Sequence, residues 1–143
     1  MVYDIISVRH RKAISVKHPE DIFDVIKKYA KRSKQELFLV ITLDSTHQMI
    51  GVHIATIGLI NRTIIHPREV FIHAVRDMAS SIAIAHNHPS GKIMPSSEDE
   101  KITRRIKEAS DIMGFYFLDH IIFSKDNFFS FRREHSIFRD EVL

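Results

Sequence analysis

The chain has 143 residues, of which 44% are hydrophobic and 27% are charged, and this composition predicts one folded domain and excludes a disordered chain. The sequence contains no cysteine, so disulfides and thiolate zinc sites are excluded and any metal ligand must be His, Asp or Glu. No apolar run reaches the roughly 20 residues that span a bilayer, and the first residues lack the layout of a signal peptide. We therefore expect a cytoplasmic protein with no membrane partner.

The charge of the chain is unevenly distributed. Lys and Arg total 21 against 18 for Asp and Glu, and this net charge of +3 does not by itself require a nucleic-acid partner. Residues 1–34 hold nine Lys or Arg and four acids. A solvated helix face is the simpler explanation of this basic region, and a weak contact with nucleic acid is the alternative.

The first half of the chain predicts a strand, a helix and a strand pair. Pro19, followed by Glu20 and Asp21, is typical of a helix start. Apolar residues at helical spacing follow, at Ile22, Val25, Ile26, Tyr29 and Ala30. The predicted elements are a strand at 4–8, a helix at 19–33 and antiparallel strands at 36–44 and 49–58.

The second half predicts two helices and three strands. A helix begins at Pro67 with Val70, Ala74 and Met78 on one stripe, and a later helix ends at Gly114. The predicted elements are helices at 67–79 and 96–113, a buried strand at 81–86, and closing strands at 115–124 and 128–133. The resulting order β-α-β-β-α-β-α-β-β predicts an α/β fold with a mixed sheet flanked by helices.

His86 and His88 are the first candidate metal ligands. Two residues apart at a strand end, their side chains point to the same side from Cα atoms roughly 6.6 Å apart. The turn formed by Pro89, Ser90 and Gly91 can bring the chain back, so that Asp99 arrives in the first turn of the next helix. Since a catalytic zinc ion takes three protein ligands and keeps one open position, we predict one Zn²⁺ per chain, bound by His86, His88 and Asp99.

Each part of this pattern also has an ordinary explanation. Ser96 and Asp99 have the spacing of a helix capping box, in which the two residues bond each other's backbone N–H groups. His86 and His88 alone fit a polar surface loop. The contiguous strand, histidine pair, tight turn and capped helix together favour the metal site.

The residues from His86 to Asp99 also resemble a known family motif. His86-x-His88, seven residues, Ser96, two residues and Asp99 is the pattern of the JAMM, or MPN+, metalloproteases. HPREVF at 66–71, AHNHPSG at 85–91, PSSED at 95–99 and LDHIIFS at 118–124 resemble the bacterial RadC-like JAB domain. The resemblance implies a single-domain, cytidine-deaminase-like MPN (JAB) fold at 18–133, between an N-terminal segment at 1–17 and a C-terminal tail at 134–143.

The resemblance further implies two catalytic residues. In JAMM proteins a Glu near the start of an earlier strand holds the zinc-activated water and acts as general base, and Glu36 matches that position. Ser96 matches the residue that stabilises the oxyanion. Glu69 is the alternative base, but its place in a first helical turn is explained by the helix dipole, so we favour Glu36.

Three functions follow from these residues. The first is a zinc-dependent metallopeptidase or isopeptidase acting on a peptide or an isopeptide-linked protein. The second is a non-catalytic metal-binding scaffold or a DNA-repair-associated accessory protein, and the third is a metal-dependent nuclease or DNA-binding module. RadC-type proteins usually carry an amino-terminal helix-hairpin-helix element, which we do not expect here. The sequence leaves the substrate, the native metal and the oligomeric state open.

The remaining polar residues receive weaker predictions. Asn87 is expected to orient the metal-site loop, and Asp119 with His120 either supports the metal ligands or forms a polar step in a strand. The other histidines have no partner spacing, and we interpret them as ordinary surface or core residues. They are His10, His18, His47, His53, His66, His73 and His135.

Overall fold

The computed structural model describes residues 7–9, 14–32, 35–57 and 65–138. Its elements follow the predicted order. They are β1 (Ser7–Arg9), α1 (Pro19–Arg32), β2 (Leu37–Leu43), β3 (Met49–Ile57), α2 (Pro67–Arg76), β4 (Ser81–Asn87), α3 (Ser97–Met113), β5 (Tyr116–Phe123), β6 (Phe128–Ser130) and α4 (Phe131–Glu134), with a final 3₁₀ turn at Ser136–Phe138. The predicted residues 4–6, 33 and 58 lie outside the described ranges.

The described strands form one mixed sheet in the order β1-β3-β2-β4-β5-β6. Strands β4 and β5 are parallel, and α3 supplies the crossover that parallel neighbours need. The other neighbouring pairs are antiparallel. The register places Phe38 of β2 opposite His86 of β4, so the start of β2 lies beside the end of β4. The α/β class with a mixed sheet flanked by helices is confirmed.

Two hydrophobic cores lie on the two faces of this sheet. Helix α1 packs its buried Ile22 and Ile26 on one face. Helices α2, α3 and α4 cover the other face, with Val70, Ile106 and Phe131 buried there. Every residue of β2 and β4 is buried, as expected for central strands covered on both sides. None of the helices in the described ranges has both the length and the apolar character needed to cross a bilayer.

The predicted extent of α2 is wrong at its C-terminal end. The helix stops at Arg76, and the backbone N–H of Asp77 donates to the carbonyls of His73 and Val75. Met78 then adopts a left-handed φ of 53° and is 89% exposed. Because the chain leaves the helix there, Met78 does not continue the buried stripe of Val70 and Ala74.

The predicted closing strand at 128–133 is also too long. The strand ends at Ser130, whose hydroxyl oxygen accepts the backbone N–H of Arg133 and caps helix α4. Residues 134–138 of the predicted tail continue the fold, because Ile137 and Phe138 are buried in the core beneath α4. The C-terminal segment therefore packs against β5 and its neighbours as far as residue 138.

Candidate metal centre

The end of β4 and the loop after it place the two motif histidines. His86 is fully buried in the strand, and the side chain of His88 is 12% exposed just beyond it. The backbone N–H of Gly91 donates to the carbonyl of His88 at 2.9 Å. Gly91 has a φ of 83°, a conformation that favours glycine, so this residue permits the turn towards α3.

The first turn of α3 presents Asp99 to both histidines. The hydroxyl oxygen of Ser96 accepts the Asp99 N–H at 3.2 Å, and Asp99 Oδ2 accepts the Ser96 N–H at 2.8 Å. The predicted capping box is therefore present. The same carboxylate places Oδ1 2.9 Å from His86 Nε2 and Oδ2 3.4 Å from His88 Nε2.

The spacing of these donor atoms fits a small divalent cation. His86 Nε2 and His88 Nε2 lie 3.2 Å apart. Tetrahedral bonds of about 2.0 to 2.1 Å, as zinc forms with imidazole, put neighbouring ligand atoms about 3.3 Å apart. His88 donates its Nδ1–H to the carbonyl of Lys92 at 2.7 Å, so a neutral His88 carries its lone pair on Nε2, towards Asp99.

Asp99 is charged at neutral pH despite its burial. Burial raises the pKa of this carboxyl, but its contacts with His86, His88 and the backbone N–H of Ser96 lower the pKa by more than burial raises it. The resulting pKa lies well below the usual range of an aspartate. The deprotonated carboxylate is the form that binds a metal ion.

Glu36 lies directly before β2 and joins the histidines. One carboxylate oxygen of Glu36 and one ring nitrogen each of His86 and His88 lie within 4.8 Å of one another. Asn87 holds the segment from both sides, because its Oδ1 accepts the Leu37 N–H at 2.6 Å and its Nδ2 donates to the Gln35 carbonyl at 3.2 Å. Asn87 therefore positions Glu36, which extends the orienting role expected from the sequence.

Glu69, the alternative base, lies elsewhere on the molecule. It is in the first turn of α2 and lines an apolar groove with Phe71, Ile72 and Met113. The structure thus brings Glu36, and not Glu69, to the histidine pair. The role of Glu36 as general base stays a prediction.

Two further buried residues extend the site beneath His86. His86 Nδ1 lies 2.9 Å from His120 Nε2, and His120 Nδ1 lies 2.5 Å from Thr103 Oγ1. The sequence left His120 open between a support for the ligands and a polar step in a strand, and it did not single out Thr103. The contact with His86 favours the supporting role.

Comparison with known proteins identifies the family. The family model of the RadC-like JAB domain matches residues 16–137 of this sequence. This chain belongs to the RadC-like JAB domain family. The resemblance drawn from the motifs is therefore confirmed, and the domain is of the MPN type.

Curated relatives of this RadC-like JAB domain carry the name UPF0758 protein, which states no activity. The relative from Thermotoga maritima is 46% identical over 101 residues, which are 71% of this chain and 46% of the relative. The relative from Pelobacter propionicus is 42% identical over 113 residues, 79% of this chain and 49% of the relative. The relative from Alkaliphilus metalliredigens is 37% identical over 119 residues, 83% of this chain and 51% of the relative. The chain thus spans about half the length of these relatives.

The RadC-like JAB domain contains a second buried histidine group, which the sequence interpretation missed. His53 of β3 and His73 of α2 stack at 4.5 Å between ring centroids. His53 Nε2 lies 2.6 Å from Asp77 Oδ2, which also accepts the Thr42 hydroxyl at 2.6 Å. The sequence interpreted both as ordinary surface or core residues, and both are buried in the core. Their contact was not predicted, because packing of α2 on β3 brings together residues that share no sequence spacing.

Ser96 is half-buried at the N-cap of α3 in this RadC-like JAB domain. The hydrogen bonds described for it are those of the capping box. Its hydroxyl oxygen accepts from Asp99, so the hydroxyl hydrogen is not used in that bond. The predicted donation from Ser96 to an oxyanion stays a prediction.

Proposed function

We propose that this domain is a zinc-dependent amide hydrolase, a metallopeptidase or isopeptidase of the JAMM type, with one zinc ion per chain. The observation that supports it is the convergence of Glu36, His86 and His88, with the Asp99 carboxylate against both rings. Its substrate class is a peptide or an isopeptide-linked protein.

Three residues would hold the zinc ion. His86 and His88 offer Nε2, and Asp99 offers a carboxylate oxygen held in place by the capping box. Three protein ligands leave one position open, as in catalytic zinc sites. A bound zinc ion would supply Lewis acidity, which lowers the pKa of water to about 7. The partly exposed His88 marks the solvent side of the site.

Glu36 is assigned the proton transfers. It is half-buried, whereas Asp99 is fully buried and in direct contact with both rings, so we assign Asp99 as ligand and Glu36 as base. The Glu36 carboxylate takes a proton from the attacking water and returns it to the leaving amine. Ser96 then donates its hydroxyl hydrogen to the oxyanion.

The test of this function is the Glu36→Gln variant, with Glu69→Gln as the matched control. Cleavage of peptide and isopeptide-linked libraries is followed by mass spectrometry, and the zinc content of each variant is measured in parallel. We expect Glu36→Gln to retain zinc and to hydrolyse amides about 10² to 10⁴ times more slowly, since a general base contributes about that factor.

The control separates the two candidate bases. Glu69→Gln should cleave at the native rate, because this residue lies in the groove beside α2. Unchanged cleavage in Glu36→Gln, or its loss in Glu69→Gln, would refute the assignment. A zinc-loaded native chain that cleaves no library member would favour a non-catalytic scaffold instead.

A further inference from the structure

A chain of buried hydrogen bonds leads from His86 to the backbone of α3. His86 Nδ1 lies 2.9 Å from His120 Nε2, and His120 Nδ1 lies 2.5 Å from Thr103 Oγ1. The hydroxyl of Thr103 donates to the backbone carbonyl of Asp99 at 2.6 Å. His86, Thr103 and His120 have no exposed surface, so these polar atoms must be satisfied inside the protein.

The hydroxyl of Thr103 sets the direction of this chain. It has a single hydrogen and gives it to the Asp99 carbonyl, so its oxygen accepts the Nδ1–H of His120. A neutral His120 then has its lone pair on Nε2 and accepts the Nδ1–H of His86. If the Thr103 hydroxyl instead gave its hydrogen to His120 Nδ1, the Thr103 oxygen and the Asp99 carbonyl oxygen would face each other at 2.6 Å with no hydrogen between them.

The consequence for His86 concerns the atom that faces the proposed metal. With the proton on Nδ1, Nε2 is the His86 atom that would give its lone pair to a metal ion; it lies 2.9 Å from Asp99 Oδ1 and 3.2 Å from His88 Nε2. His88 is held in the same tautomer by the carbonyl of Lys92. One ligand is thus oriented by a backbone carbonyl and the other by a second histidine.

The ring of His120 is itself held by the C-terminal segment. Phe131 of α4 stacks on it, with 4.8 Å between centroids and 9° between planes. The Asp119 carboxylate accepts the backbone N–H of His120 at 2.7 Å and the hydroxyl of Ser130 at 2.5 Å. These contacts fix the orientation in which His120 can meet both of its partners.

We propose that His120 and Thr103 are positioning residues that hold His86 in the tautomer whose Nε2 lone pair faces the metal. The inference rests on the metal site of the proposed function. A histidine in this position differs from the carbonyl or carboxylate that usually accepts from a metal-binding histidine. A neutral imidazole can carry its proton on either nitrogen, so His120 accepts from His86 only while its proton stays on Nδ1. The Thr103 hydroxyl oxygen holds the proton there.

The first test measures the zinc affinity of the 143-residue chain by competition with a chelator. Thr103→Val removes the hydroxyl at similar shape, and Thr103→Ser retains it as the matched control. We expect Thr103→Val to bind zinc about 10 to 100 times more weakly, the usual cost of losing an outer partner, and Thr103→Ser to bind within about threefold of the native chain.

The second test reads the tautomers directly by ¹⁵N NMR of histidine-labelled, metal-free protein. In the native chain and in Thr103→Ser, His120 and His86 should both carry a proton on Nδ1. In Thr103→Val, the proton of His120 should move to Nε2. A merely structural role of Thr103 would lower the melting temperature without moving these signals. The native spectrum alone decides the matter if Thr103→Val does not fold.

The outcomes separate this inference from the proposed function. If the native chain binds zinc but Thr103→Val binds it equally well, the positioning role is refuted and the metal site stands. A native His120 that carries its proton on Nε2 would also refute the positioning role. If the native chain binds no zinc, the proposed function fails and the inference fails with it.

Discussion

Two groups of histidines, each with a buried member on the same face of the sheet, orient their rings differently. The register places His86 opposite Phe38 and His53 opposite Val40, both on the face covered by α2 and α3. The rings of His86 and His88 are tilted by 55°, with Nε2 atoms 3.2 Å apart. The rings of His53 and His73 stack within 17° of parallel. Since imidazole lone pairs lie in the ring plane, nearly parallel rings do not direct them to a common point.

The two groups also differ in the partners that orient their rings. In the metal centre, the Nδ1 atoms of His86 and His88 face His120 and the Lys92 carbonyl, so the Nε2 atoms converge. In the second group, His53 Nε2 contacts the Asp77 carboxylate at 2.6 Å. In the metal centre the Nε2 atoms of both histidines face one carboxylate, that of Asp99. From this difference we expect the partners on the far side of each ring to decide whether two histidines can turn Nε2 towards one metal ion.

Two buried aspartates show the same dependence on their neighbours. Histidine contacts hold the pKa of Asp99 well below its usual range, although burial opposes this. Burial raises the pKa of Asp119 to about 6, because the hydrogen bonds from Ser130, Arg132 and His120 offset only part of the desolvation. The Asp99 carboxylate is charged at neutral pH and suited to a cation, whereas Asp119 keeps its proton up to about pH 6.

The largest expected effect is on zinc affinity, and it tests the contrast between the two groups. Asp99→Asn should weaken zinc binding on the order of 1000-fold, about 4 kcal/mol, since a lost ligand costs more than the 10- to 100-fold of an outer partner. Asp77→Asn is the same substitution in the second group and should leave the affinity unchanged. Titration with a competing chelator measures both. Equal weakening in the two variants would break the comparison.

The next largest effect is on the pH dependence of stability. The pKa of Asp119 is raised in the fold from 3.8 to about 6, so the unfolded chain releases this proton first as the pH rises. The contribution of Asp119 to the free energy of unfolding is therefore complete below about pH 4. It is lost as the pH rises through about 6, a change of about 3 kcal/mol. Asp119→Asn, which resembles the neutral acid, should lack this loss.

Denaturant unfolding of both proteins from about pH 4 to pH 7 checks the sign of this effect. The difference in unfolding free energy should move in favour of Asp119→Asn as the pH increases. Parallel curves would show that Asp119 has an ordinary pKa in the folded chain. Other titrating groups are common to both proteins and cancel in the difference.

The smallest expected effect belongs to the second group. Thr42→Val removes the hydroxyl that donates to Asp77 at 2.6 Å and should cost about 1 kcal/mol of stability, the usual net contribution of an intramolecular hydrogen bond. Zinc affinity should not change. A loss of zinc affinity in this variant would mean that the two groups are coupled through β2.

The sequence predicts the contiguous part of the metal centre and much of the fold. His86, His88, Ser96 and Asp99 lie within one strand, loop and helix, so their spacing carries their geometry. The capping box and the stop at Gly114 depend on local backbone preferences and are confirmed. The element order follows from apolar periodicity in the same way.

The remaining features depend on contacts between distant segments. Asn87 positions Glu36 because β2 pairs with β4, and His120 reaches His86 because β5 pairs with β4. The contact between His53 and His73 requires α2 to pack on β3. The helix at Phe131 replaces a predicted strand because Ser130 caps it, although its aromatic neighbours favour a strand. Pairing and packing of this kind leave no fixed spacing in the chain.

The central claim is one zinc ion per chain at His86, His88 and Asp99. The most direct measurement is the zinc stoichiometry of the 143-residue chain by titration and elemental analysis. The account predicts one tightly bound zinc ion in the native chain and in His53→Gln, and none in His88→Ala. A native chain without zinc, or a His88→Ala variant that retains it, would contradict the account.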